Sequence, residues 1–178
     1  MIESINEPAG AMTLNEMTPN EQLGGRPARE PFLHIPVPWV FVLGYLVGAG
    51  LQMLVPVHVN SSASYTLQVA GGVTVLVGIA LATWGWSMFK RAGTSRVPGE
   101  TSIVFVTSGP YRFTRNPMYI GLALAYLGEE GALLQVWPLP LLVLVLAYVN
   151  WCVVPVEEAS LKAFREYGDY CSRVRRWL

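Results

Sequence analysis

Three apolar stretches, 38–57, 65–89 and 117–156, divide this chain, and no lysine or arginine falls inside any of them. The first is 20 residues long. As a helix rising about 1.5 Å per residue it covers about 30 Å, the depth of a bilayer core. The second is longer. The third holds two segments joined by a hairpin, with Gly128-Glu129-Glu130-Gly131 and Trp137-Pro138-Leu139-Pro140 as the turn regions. A helix ending at Gly128 is only about 17 Å long, whereas one reaching Leu134 puts Glu129 and Glu130 near the far interface. The expectation is a short third segment, 117–131, and a full fourth one, 138–155.

Composition agrees. Hydrophobic residues make up 52% of the chain and charged ones 13%, where soluble domains carry roughly 25% charged residues. The expected fold is therefore all-α, a polytopic membrane protein with about four transmembrane helices, 38–57, 65–89, 117–131 and 138–155. The zero formal net charge hides a segregation along the sequence: all 12 Lys and Arg lie in the N-terminal tail, the 90–116 loop or the 157–178 segment. Basic residues stay on the cytoplasmic side. An even number of spans with both termini cytoplasmic satisfies that rule, and an odd number breaks it.

The tail, 1–36, is polar and carries Pro8, Pro19, Pro27 and Pro31. It lacks the basic start and apolar run of a signal peptide. It is expected to be flexible, because it has little apolar area to bury. The membrane domain is then 37–178. Within the spans, Gly44 with Gly48 and Gly78 with Ala82 form small-residue faces that let another helix approach closely. Trp84 and Trp86 suit an interfacial belt. Gly71, Gly72 and Gly78 make no nucleotide-binding glycine motif between a strand and a helix. Cys152 and Cys171 show no paired spacing, and His34 and His58 have no ligand-type neighbours, so no metal site is expected. No nucleic-acid partner is expected either.

The chemistry concentrates in three polar clusters on one membrane face. The first is Tyr111-Arg112 with Arg115-Asn116-Pro117-Met118-Tyr119. Asn116 reads as a helix N-cap and Pro117 as the first helical residue, where its missing N–H costs nothing. The second is Glu157-Glu158. The third is Tyr167, Tyr170 and Arg173, in a segment where Leu161, Phe164, Cys171 and Val174 recur at helical spacing. That segment reads as an amphipathic helix on the membrane surface, interrupted at Gly168. Taken singly, the arginines could be lipid anchors and the glutamates helix-end charges. Together they suggest a pocket.

The combination of Gly109-Pro110-Tyr111-Arg112, Arg115-Asn116-Pro117-Met118-Tyr119, a hydrophobic hairpin, Glu157-Glu158 and the Tyr167, Tyr170, Arg173 and Arg176-Trp177 tail resembles the isoprenylcysteine carboxyl methyltransferase family. That family is related to the phospholipid methyltransferases. The resemblance covers about residues 90–178. It implies a multi-pass enzyme that uses S-adenosylmethionine, held near the cytosolic face by the last two spans and the C-terminal segment. It implies that Tyr111, Arg115, Asn116, Pro117 and Tyr119 line the cofactor entrance. Glu157 and Glu158 match its acidic pair, while Tyr167, Tyr170 and Arg173 close the site. Glu158, as a helper in proton removal, and Arg173, which with Arg115 is one of two possible clamps for the donor's carboxylate, are the candidate catalytic residues. The chain departs from the family at Asn116, where His is frequent, and at Ala163-Phe164, where a Phe-Gly step is frequent.

The acceptor implied is lipophilic: a prenylcysteine carboxylate, a phospholipid amine or an isoprenoid. Two other readings fit the sequence. One is an NADPH-dependent membrane reductase of the sterol-reductase type, which usually needs more spans. The other is a small non-enzymatic membrane protein whose arginines only fix topology. Oligomeric state is left open.

Overall fold

Pro38 sits in the first turn of helix α1, Val37–Leu54, where an absent N–H is harmless. The chain then forms α2, Ser64–Arg91, a 3-10 turn at Gly109–Arg112, and α3, Pro117–Leu133. It continues through α4, Pro138–Tyr148, a π-helical turn at Val149–Val153, α5, Val154–Leu161, and α6, Tyr167–Arg173. This computed structural model describes residues 36–59, 64–91, 105–162 and 164–177, and every regular element among them is helical. The tail 1–35, expected to be flexible, and loop residues 92–104 lie outside the described residues.

Among the described residues three helices are long and apolar enough to cross a membrane: Val37–Leu54, Ser64–Arg91 and the continuous Pro138–Leu161. α3 has 17 residues, about 25 Å, and is the short one. It does not stop at Gly128. It runs to Leu133 and is closed by Leu134 in a left-handed conformation (φ 53°), which returns the chain toward α4.

Small residues decide how α2 and α3 meet. A methyl group on Gly121 would lie 2.5 Å from the Ala82 backbone nitrogen, and one on Gly128 would lie 2.5 Å from that of Val75. The expected Gly78–Ala82 face is thus buried against α3, with the two backbones in direct contact. Contacts pair the C-terminal half of α2 with the start of α3, and Gly71 with Gly128 and Ala132, so the helices run antiparallel. In that arrangement α3 covers α2 from the level of Gly85 to that of Leu67. The Gly44–Gly48 face serves α4 in the same way: Gly48 abuts the Pro138 backbone and Gly44 abuts Val145.

Between α1, α3 and the α4–α5 rod lies a core built on Phe41, Tyr119, Tyr126, Leu142, Val149 and Val153. The outward faces remain apolar, with Leu46, Leu76, Val77, Val143 and Leu144 exposed as a lipid-facing surface requires. Trp84 and Trp86 are exposed near the end of α2. At the opposite end the α3–α4 turn is sealed by side chains. Gln52 accepts from the Val136 and Trp137 amides, Trp137 Nε1 donates to the Val55 carbonyl, and Tyr45 donates to Gln135.

Two expectations are corrected at the C-terminal side. The fourth helix does not end at Pro155; it continues to Leu161, so Glu157 and Glu158 project from its last turns. Proline normally clashes with the carbonyl four residues back. Here that residue is Trp151, inside the π turn, whose wider register accommodates Pro155 without breaking the rod. Nor is the C-terminal segment one amphipathic helix interrupted at Gly168. The described residues 162 and 164–166 are not helical, and Gly168 lies inside α6.

Candidate active site

Gly109, with φ 61°, supplies a left-handed bend that opens the 3-10 turn and buries Pro110 and Tyr111. The Tyr111 ring meets Phe89 of α2 edge-on at 5.1 Å, and Tyr170 of α6 donates to the Tyr111 carbonyl at 2.7 Å. This turn therefore ties α2 and α6 to the start of α3.

Asn116 occupies the N-cap position of α3, and its carbonyl accepts from the Ile120 amide. Its side chain does not cap the helix. Asn116 Nδ2 donates to the Arg176 carbonyl at 3.0 Å, and the Thr114 hydroxyl donates to that same carbonyl at 3.1 Å. The Arg115 amide donates to the Arg175 carbonyl at 2.9 Å. Thr114 and Asn116 are both 3% exposed, so two buried polar side chains are committed to holding the chain's last residues in place.

Over this platform hang the two glutamates. Tyr119 donates to Glu157 Oε1 at 2.6 Å. Glu158 is shared by two guanidiniums: Arg115 Nη1 reaches Oε1 at 2.9 Å, while Arg176 Nε and Nη2 grip both oxygens. Arg115 Nη1 also donates to Cys171 Sγ at 3.1 Å. The Tyr167 hydroxyl lies beside Arg115 and Cys171, yet neither it nor Arg115 Nε makes an aligned hydrogen bond among the described residues. Burial raises the Tyr167 pKa, with Cys171 and Glu158 adding to it, so the hydroxyl keeps its proton. Burial alone would lower the Arg115 pKa. Tyr167, Glu158 and Cys171 outweigh it and hold the guanidinium charged.

These groups surround a narrow cleft whose enclosed space, about 30 Å³, holds a water or two, so a cofactor-sized ligand would have to open it. Of the residues singled out from sequence, Tyr111, Arg115, Asn116, Glu157, Glu158, Tyr167 and Tyr170 line it. Pro117 and Tyr119 are buried behind that lining, Tyr119 acting through Glu157. Arg173 is not brought to the cleft: it is exposed, and its Nε donates to the Asp169 carbonyl one turn back. Sequence reasoning missed Phe89, Phe105, Val106 and Leu161 as lining and Arg176 as the second guanidinium. Phe105 was within reach of an aromatic count, since it packs against Phe164, Tyr167 and Tyr170 with centroids 5.1–5.8 Å apart. Arg176 stands in the tail that carries the family resemblance, but nothing in the sequence assigns it a partner over Arg173.

The described residues thus form a helical membrane fold with a polar, aromatic cleft at one end of its rods. The family model of the phospholipid methyltransferases matches residues 66–169, from α2 into α6. The chain belongs to that family. No curated protein and no solved structure matches it.

Proposed function

We propose that this membrane methyltransferase moves a methyl group from S-adenosylmethionine to a lipophilic acceptor, using the 37–178 domain with both termini on the cytoplasmic side. The observation that carries the reading is the pairing of Arg115 and Tyr167 in the cleft lining, where Arg115 Nε and the Tyr167 hydroxyl lie close but make no aligned hydrogen bond among the described residues. A guanidinium N–H beside a phenol suits a carboxylate, such as that of an amino acid. Phe105, Tyr111 and Tyr170 offer flat apolar surface for a purine, and Glu157 can accept from an ammonium or a ribose hydroxyl. The residues present fit the donor.

When bound, the donor supplies an electrophilic methyl group. The protein's task is to hold the acceptor in line with it, since positioning accounts for much of the barrier in such displacements. Both Glu158 oxygens are engaged by guanidiniums, which favours an orienting role over proton removal. Glu157, held by Tyr119, is the carboxylate nearer to that task. A carboxylate acceptor needs no base, whereas an amine needs its proton removed first. The candidate acceptors stay a prenylcysteine carboxylate, a phospholipid amine or an isoprenoid, reaching the cleft sideways along the apolar flanks.

Calorimetric titration of the purified protein with S-adenosylhomocysteine tests the donor, and saturable binding is expected. Labelled-methyl transfer to a membrane lipid extract identifies the acceptor. Glu158→Gln should remove binding or turnover, and an unimpaired Glu158→Gln enzyme would overturn the site.

A further inference from the structure

We infer that Arg176 is a positioning residue of the methyl-donor site, delivered to it by a C-terminal strap, 174–177, that locks over the start of α3. The inference rests on the proposed donor. Val174 is extended (φ −120°, ψ 126°), and beyond it the strap is fastened at three places. The Arg175 and Arg176 carbonyls take three hydrogen bonds from Thr114, Arg115 and Asn116. The Arg176 guanidinium grips Glu158 on α5. Trp177 Nε1 donates to Asn150 Oδ1 at 3.0 Å, inside the π turn. The strap therefore joins the beginning of α3, the end of α5 and the irregular turn between α4 and α5.

What Arg176 does there follows from guanidinium–carboxylate geometry. A carboxylate beside one arginine takes two parallel N–H bonds from it, the preferred two-pronged arrangement. Arg176 already occupies that seat on Glu158 through Nε and Nη2. Arg115 is left an end-on contact through Nη1, and its buried Nε, beside Tyr167, has no aligned partner among the described residues. Without Arg176, Glu158 would turn onto Arg115 and take up the donors the cleft needs. Two carboxylates would then also face one guanidinium, a charge balance that repels an incoming carboxylate. Arg176 acts through Glu158 and Arg115, without touching the ligand.

The test uses the full chain in lipid nanodiscs, titrated with S-adenosylhomocysteine. Arg176→Ala should weaken affinity at least tenfold. Arg176→Lys should recover only part, because an ammonium cannot take the two-pronged seat. Hydrogen exchange gives a second readout: the ligand should slow exchange of the Arg115 amide in wild-type protein and fail to do so in Arg176→Ala. Wild-type affinity in Arg176→Ala, or in Arg176→Lys should the alanine variant not fold, would overturn the role of Arg176. A wild-type protein that binds no S-adenosylhomocysteine would overturn the donor assignment, and this inference with it.

Discussion

Asn116 shows how one side chain's partner decides its role. Its place before Pro117 reads as a cap, yet its amide is spent on the Arg176 carbonyl. Aspartate would keep the shape and set an acceptor against an acceptor. Asn116→Asp should therefore cost about 1–3 kcal/mol, the penalty for leaving a buried polar group unsatisfied. A thermal melt in detergent would show it, with the C-terminal residues becoming protease-sensitive; an unchanged melt would refute the assignment. Tyr119 makes a comparable case. Its hydroxyl donates to Glu157 at 2.6 Å, a short charge-assisted bond. Tyr119→Phe should cost about 1.5–3 kcal/mol and weaken S-adenosylhomocysteine binding, and calorimetry with a wild-type constant would count against it. The Tyr167 hydroxyl has a linked pH signature. Its folded pKa is raised by burial, so below the unfolded value of about 10 both states hold the proton and stability is flat. Above that value only the unfolded chain releases it, and stability falls as pH rises. Tyr167→Phe should remove that alkaline loss, which unfolding measured between neutral and alkaline pH would reveal.

At the scale of helices, the contact between α2 and α3 depends on atoms that are not there. Gly121→Leu would drive a side chain into the Ala82 backbone, which cannot yield as a flexible side chain would. The helices must separate, at about 1–3 kcal/mol or more. Because α3 begins at Asn116 and Pro117, that separation should also lower ligand affinity. Gly72→Leu is the control, since nothing lies within 4 Å of a Cβ there. Equal melting temperatures for the two variants would contradict the packing. The π turn matters for a different reason. It adds a residue to one turn and so rotates everything beyond it, Glu157 and Glu158 included, by about 100°. The orientation of the acidic pair is thus set inside the membrane rod, several residues before the pair itself.

For the whole molecule, the antiparallel pairing of α2 with α3 and of α1 with α4 brings the described basic residues to one end. Glu129 and Glu130 lie at the other. The helix pattern was legible in the chain because apolar length and the exclusion of Lys and Arg are properties of sequence: a helix that crosses a bilayer core must be long and nearly free of charge. The end of α3 was read two residues too early, because the helix carries on through Glu129, Glu130 and Gly131 to Leu133. The cleft was legible in part. Tyr111, Arg115, Glu157 and Glu158 stand in compact local motifs, and motifs survive without a fold to view them in.

What the sequence determined by itself was the apolar blocks, the segregation of charge and the residue types of the site. Each of those is local, written in neighbours along the chain. Tertiary structure alone decided which guanidinium reaches Glu158. Arg173, Arg175 and Arg176 are chemically equal and lie within four positions of one another. Only the hydrogen bonds of the strap to Thr114, Arg115 and Asn116, some 60 residues away in sequence, turn Arg176 inward and leave Arg173 in solvent.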